Sequence, residues 1–197
     1  KRIVFPEGHS HKVLKAVQEI ISEDICHPIL LGNEEYIHEK LEQYGLDLTG
    51  VEIIDPKSKE QNEKRKHFYK KYWDIRSRHG ITKNESKRRV RDRNYFGCLM
   101  VEEGLADGMV SGVTRNYPET LKPALEVIGL QKNVKKVAGL YIALSNDGPI
   151  FFSDTTINKL PNEQELIDII LLTAKEVRRL GIKPVIALLS YSNFGST

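Results

Sequence analysis

The chain has 197 residues, 40% hydrophobic and 29% charged, with a formal net charge of +3. This is the composition of a water-soluble globular protein able to bury a real core. No apolar run approaches the roughly 20 residues needed to cross a bilayer, which excludes a helical membrane protein, and the start KRIVFPEG passes directly into strand-like sequence, so a cytoplasmic protein is expected.

Arg2 to Phe5 reads as a strand that turns through Pro6-Glu7-Gly8-His9-Ser10 into a helix with Val13, Leu14, Val17, Ile20 and Ile21 on one face. Pro28 to Leu31 is a short buried strand closed by Gly32-Asn33. A helix over Glu34 to Tyr44 stops at Gly45, and Val51 to Ile54 is the third strand. Strands separated by helical stretches point to parallel pairing through crossovers.

Charge is unevenly spread. Between Lys57 and Arg93 fifteen Lys and Arg stand against five Asp and Glu, a net of +10, which leaves −7 elsewhere. Two readings fit: solvated helix faces, or attraction of a phosphate-rich ligand or acidic partner. Nucleic acid is not expected as a partner, because the aromatics Phe68, Tyr69, Tyr72 and Trp73 sit at helical spacing and no nucleic-acid motif is present.

The basic helix spans Asn62 to His79, and Thr82-Lys83-Asn84-Glu85 reads as a capping box opening a helix that runs to Glu103. Gly108 to Ser111 is a brief strand. Thr120 as N-cap of the next helix places Pro123 at N3, where a missing donor is tolerated, and Lys122 at N2. A cation there opposes the helix dipole, which suggests that Lys122 faces an anion.

Lys136 to Ser145 and Pro149 to Asp154 are strands joined by the hairpin signal Asn146-Asp147-Gly148. A capped helix covers Asn162 to Leu180, and Val185 to Leu189 is a buried strand leading into LSYSNFGST. The start without Met and the loop that ends the chain suggest a piece of a longer polypeptide. The fold expected from the pattern is α/β, with a mostly parallel sheet and an antiparallel hairpin.

Chemistry-bearing motifs are sparse. Cys26 and Cys98 are expected as reduced buried thiols. The six histidines lack metal-ligand spacing, so no metal site is expected, and GxSxG, P-loop and GxGxxG motifs are absent. What remains are two Ser/Gly loops after strands, VSGVTRNY and LSYSNFGST. Small residues there let backbone N–H groups approach an anion, which makes Ser111, Gly112, Thr114, Arg115, Ser190, Ser192, Asn193, Gly195 and Ser196 candidates for ligand binding; ordinary strand-to-helix turns have the same composition.

The phrases FPEGHSHKVLKA, RSRHGIT, NYFGCLMVEEG, ADGMVSG, TLKPALEVIG and PVIALLSYSNFGST together resemble the phosphate acetyl/butyryltransferase family, in order and over essentially the whole chain. SNFGS and NYFG are most similar to the phosphotransacetylase-like domain behind the catalytic part of bacterial NADP-dependent malic enzymes. The resemblance implies a two-domain, dehydrogenase-like architecture of three αβα layers in which acetyl-CoA and phosphate meet in a cleft, with residues 1–135 as a first domain completed by a later segment and 136–197 as the start of a second. It implies Arg76 as the arginine of an RxHxG-like stretch. Lys122 stands where the family has the arginine of TLRPA, keeping the charge but not the planar fork.

The family's general base lies beyond Thr197, so no catalytic residue set is intact and this chain alone is not expected to catalyse. The function expected is an acetyl-CoA-sensing and homo-oligomerising module of a malic enzyme, whose parent uses NADP with Mg or Mn to decarboxylate malate. The alternative is a truncated phosphate acetyltransferase. Acetyl-CoA or CoA, phosphate and further copies of the chain are the partners implied, without nucleic acid or membrane.

Overall fold

Four short parallel strands organise the first part of the chain in the computed structural model, which describes residues 1–132, 134–158 and 160–189. They are β1 (Arg2–Phe5), β2 (His27–Leu31), β3 (Glu52–Ile54) and β4 (Gly108–Met109), in the order β3-β2-β1-β4. Val4 pairs with Ile29 on one side and with Met109 on the other. The chain therefore steps outward from β1 through β2 to β3 and returns on the opposite side of β1 as β4, so the order reverses at the β1–β4 boundary.

Strand side chains alternate between two cores, as a period of two requires. Phe5 and Leu30 pack with Val13, Leu14 and Val17 of α1 (His11–Ser22) and Ile37 and Leu41 of α2 (Glu34–Tyr44). Val4, Ile29, Leu31 and Ile54 face Phe68 and Tyr72 of α3 (Asn62–Arg76) together with Phe96, Leu99 and Met100 of α5 (Arg93–Glu102). Helices thus cover both faces of the parallel sheet, in the three layers expected. Cys98 is buried in the second core, where burial and then the Asp92 charge push its thiol up to about 12; Cys26 is only half-buried, and both are free.

Local signals set most helix ends. The Asn33 side chain accepts the Tyr36 N–H at the start of α2, and Gly45, at φ 62°, ends it in the left-handed region that favours glycine. The single helix expected from Thr82 to Glu103 is two. Thr82 caps α4 (Lys83–Arg89), but the Glu85 carboxylate that would complete its box binds Arg89 instead. Asp92 then starts α5 by accepting the N–H groups of Asn94 and Tyr95, so a second cap interrupts the helical run.

The helix carrying Lys122 also begins earlier than expected. Asn116, not Thr120, caps α6 (Tyr117–Val127), its side chain accepting the Glu119 N–H at 3.0 Å. Pro118 falls where no donor is needed, whereas Pro123 lies inside the helix, and Lys122 sits in the second turn rather than the first. So far from the N-terminus the helix dipole no longer calls for an anion opposite Lys122.

Contacts divide the chain into two compact units, Lys1–Gly129 and Leu130–Thr197. In the second unit β5 (Leu140–Ser145) and β6 (Gly148–Ser153) form an antiparallel hairpin that is a sheet of its own, with Gly148 at φ 115° in the turn. Asn162 and Glu165 form a complete capping box at the start of α7 (Glu163–Arg179). The strand expected over Val185 to Leu189 is not formed. Val185 is 95% exposed, and without a partner strand an apolar run has neither ladder nor cover.

Phe96 is fully buried with its ring edge-on to Phe68, centroids 5.0 Å apart. Phe96→Ala should lower the unfolding free energy of the first unit by about 3–5 kcal/mol in urea denaturation. Leu144→Ala, at an 87% exposed position of the hairpin, should change stability by less than about 0.5 kcal/mol in the same measurement.

Candidate functional site

The reversal in strand order brings the loop after β1 against the loop after β4, the place where open α/β sheets usually admit a ligand. Here Glu7 occupies it. Its carboxylate is 1% exposed and accepts the Gly112 N–H at 2.8 Å and the Val113 N–H at 2.9 Å on one oxygen. The other oxygen accepts the Thr114 N–H and, at 2.6 Å, the Thr114 hydroxyl. Ser111 Oγ adds a longer contact at 3.4 Å.

Burial alone would raise the Glu7 pKa, but the donors from Thr114, Val113 and Gly112 outweigh it and hold the group at about 2. The backbone donors of 112–114 are thus given to a carboxylate of the same chain. Gly112 permits the turn: at φ 116° it takes a conformation that side chains rarely adopt. Gly8, next to Glu7, closes in on the neighbouring strand end; its N–H donates to the Leu31 carbonyl, and a Cβ there would lie 3.1 Å from that oxygen.

One residue beyond the clamped loop, Arg115 pairs with Asp92 at 2.6 Å. Arg115 lines a cleft of about 920 Å³ together with His9, Lys57, Arg88, Arg91 and Arg93, and Gly32 and Asp55 put it at the carboxyl ends of β2 and β3. A smaller pocket of about 300 Å³ shares Arg88, Asp92 and Arg115 with the cleft and adds Glu119 and Lys122. His9 Nδ1 lies 2.6 Å from Arg93 Nη1. Because a guanidinium can only donate, Nδ1 must be the acceptor, and the ring proton sits on Nε2. Burial, then the Arg93 charge, lowers the His9 pKa and keeps the ring neutral.

Lys122 has a partner on its own helix: its Nζ lies 3.9 Å from Glu126 Oε1, and its side chain is more than half exposed. Glu126 in turn accepts from the hydroxyls of Tyr72 at 2.7 Å and Tyr95 at 2.6 Å and pairs with Arg89. Burial opposes ionisation of Glu126, but these donors prevail and its pKa is lowered; Tyr72 is pushed up to about 12 by burial and then by Glu126. Arg89 also binds Glu85 at 2.6 Å, so one ionic knot fastens α3, α4, α5 and α6 together.

Residues 1–197 match the family model described as Phosphate acetyl/butaryl transferase. The chain belongs to the phosphate acetyl/butaryl transferase family. It is 35% identical over 196 residues to phosphate acetyltransferase of Bacillus subtilis, covering 99% of this chain and 59% of that protein. It is 39% identical over 201 residues to NADP-dependent malic enzyme of Haemophilus influenzae, covering all of this chain and 26% of that protein. The EutD phosphotransacetylase from Staphylococcus aureus superposes with a TM-score of 0.85 at 30% identity, over 100% of this chain and 58% of that one. The chain thus spans about three fifths of the Bacillus subtilis acetyltransferase and about a quarter of the Haemophilus influenzae malic enzyme, and both branches of the resemblance are borne out.

Of the positions expected from the sequence, Arg115 and Lys122 share the smaller pocket, while Ser111, Gly112 and Thr114 are turned to Glu7. Arg76, the last residue of α3, lines neither the cleft nor the smaller pocket, and its buried Nε has no partner among the described residues. Ser190, Ser192, Asn193, Gly195 and Ser196 lie outside the described residues. Glu7, His9, Asp92, Arg91 and Arg93 were not singled out from sequence as site residues. The run Arg88-Arg89-x-Arg91-x-Arg93 carries a readable signal for the cations, whereas Glu7 offers only an acid between Pro6 and Gly8.

Glu7 has a folded pKa below its unfolded value, so its contribution is present above about pH 4.5 and lost as pH falls toward 2. Glu7→Gln should lower stability at pH 7 by roughly 3 kcal/mol. Urea denaturation from pH 7 to pH 2 should show the gap between the two proteins closing as the wild-type carboxylate protonates.

Proposed function

We propose that this chain is the phosphotransacetylase-type module of a larger NADP-dependent malic enzyme and that it senses acetyl-CoA. The observation that carries the binding role is the convergence of Arg88, Arg91, Arg93 and Arg115 on one cleft at the strand ends, with Lys122 in the adjoining pocket. Such a site suits the phosphates of coenzyme A and inorganic phosphate, which guanidinium forks hold through paired hydrogen bonds.

Proton abstraction is less well provided for. Asp92 is engaged by Arg115 and by the start of α5, and Asp55 accepts the Lys57 N–H at 2.8 Å. His9 is neutral, with Nδ1 taken by Arg93. A cleft that attracts anions while its own acids and imidazole are committed supports binding ahead of acyl transfer. NADP and Mg or Mn belong, on this reading, to the remainder of the parent enzyme. Among the described residues no three His, Cys, Asp or Glu stand close enough to hold a metal ion, so no step is assigned to one here.

The homo-oligomer in this proposal is supported by the hairpin, where Tyr141, Ile150 and Phe152 lie on one face and are about half exposed. No helix among the described residues is long and apolar enough to cross a membrane.

The second reading is an active phosphate acetyltransferase, converting acetyl-CoA and phosphate to acetyl phosphate and CoA. It is favoured by the phosphate acetyltransferases among the relatives and by the phosphotransacetylases among the solved structures.

Two assays on the full-length protein separate the readings. Malate turnover with NADP and Mg should fall on addition of saturating acetyl-CoA, and Arg115→Ala should raise the acetyl-CoA concentration needed about tenfold. Malate turnover indifferent to acetyl-CoA, together with CoA-dependent acetyl phosphate formation, would give the second reading the field.

A further inference from the structure

Beside the cleft, between α3 and α4, runs a separate groove of about 350 Å³ whose lining includes Tyr69 and Lys70 of α3, Lys87 of α4, and Val90 and Arg91 just after it. Its walls are fixed. Buried Ser86 donates to the Tyr69 carbonyl at 2.6 Å, which locks the two helices together, and Val90 belongs to the core. None of the lining residues is acidic.

Four other cations of this region are engaged. Lys66 pairs with Glu63, Lys71 with Glu103 and Arg89 with Glu85, while Arg65 donates to the carbonyls of Pro56 and Ser58. Lys70, Lys87 and Arg91 form no ion pair with any described residue. The Lys87 Nζ rests 5.3 Å from the centre of the Tyr69 ring. Here three unmatched cations gather in one concave place against an aromatic and an apolar wall, and their mutual repulsion is relieved by a multivalent anion.

The geometry points to a nucleoside polyphosphate site in this groove, with the phosphates on Lys70, Lys87 and Arg91 and the nucleoside against Tyr69 and Val90. The volume suits a small molecule. Arg91 borders both the groove and the large cleft, so the ligand is either a free nucleotide or the phosphorylated adenosine end of coenzyme A reaching over from that cleft. Only the second source rests on the function proposed above.

Calorimetric titration of the full-length protein with ADP, with adenosine 3′,5′-bisphosphate and with inorganic phosphate tests the site. Both nucleotides should bind and phosphate alone should bind far more weakly. Lys70→Ala and Lys87→Ala should each weaken nucleotide binding about tenfold without shifting the Tm, and Lys15→Ala, on α1 and not in the groove lining, should leave it unchanged.

Titration with CoA identifies the source. A parallel loss of CoA affinity in Lys70→Ala and Lys87→Ala assigns the groove to the cofactor's adenosine end; unchanged CoA affinity, with ADP failing to displace CoA, assigns it to a free nucleotide. The proposal is overturned if neither nucleotide binds at millimolar concentration, if both lysine variants bind as the wild type does, or if a single-stranded oligonucleotide binds more tightly than either. Arg115→Ala, which removes a cleft residue alone, keeps failure of the groove distinguishable from failure of the cleft.

Discussion

The first unit depends on one buried carboxylate. Glu7 leaves β1 and is met at once by the backbone donors and hydroxyl of the loop that follows β4, more than a hundred residues further along the chain. A buried ionised carboxylate without partners would be costly, and an unsatisfied run of N–H groups would be costly too; each removes the other's penalty. The seam where the strand order reverses is therefore sealed from within, and the cations are left beside it rather than inside it. Arg115 is the first side chain past the seal, and its pairing with Asp92 links the loop to the start of α5.

A second ionic centre complements the first. Glu126 gathers Tyr72, Tyr95 and Arg89 from three helices beneath the smaller pocket, with Lys122 on its open side. Arg89 is consumed in this centre, whereas Arg88, its neighbour in sequence, borders the cleft. Adjacent positions on a short helix point in different directions, which is how one basic run serves both packing and the surface. The strong asymmetry of charge along the chain thus has two physical causes: knots that hold helices together, and cations left for the solvent side.

What was legible in the sequence was what local chemistry decides. The apolar runs at Arg2–Phe5 and Pro28 to Leu31, the Gly45 stop and the Asn162–Glu165 box all act within a few residues and are legible in the sequence, whereas the Asn33 cap is not read there. The start of α6 was misread because Asn116 and Thr120 are both competent caps and only the folded chain chooses. Asp92 was passed over because the basic pattern continues across it. Val185 to Leu189 was taken for a buried strand because apolar runs announce a wish for cover, not its presence. Convergence of Arg115 and Lys122 was readable from their closeness in sequence, while the role of Glu7 rests on contacts at a separation no local pattern encodes.

Pro123 lends the smaller pocket a property that its charges do not. A proline ring has no hydrogen to offer, so the Glu119 carbonyl goes without its usual partner four residues on, and both residues border that pocket. The turn of α6 that carries Lys122 is therefore held by one backbone hydrogen bond fewer than an uninterrupted helix, which leaves this wall of the pocket easier to bend than the other helices around it.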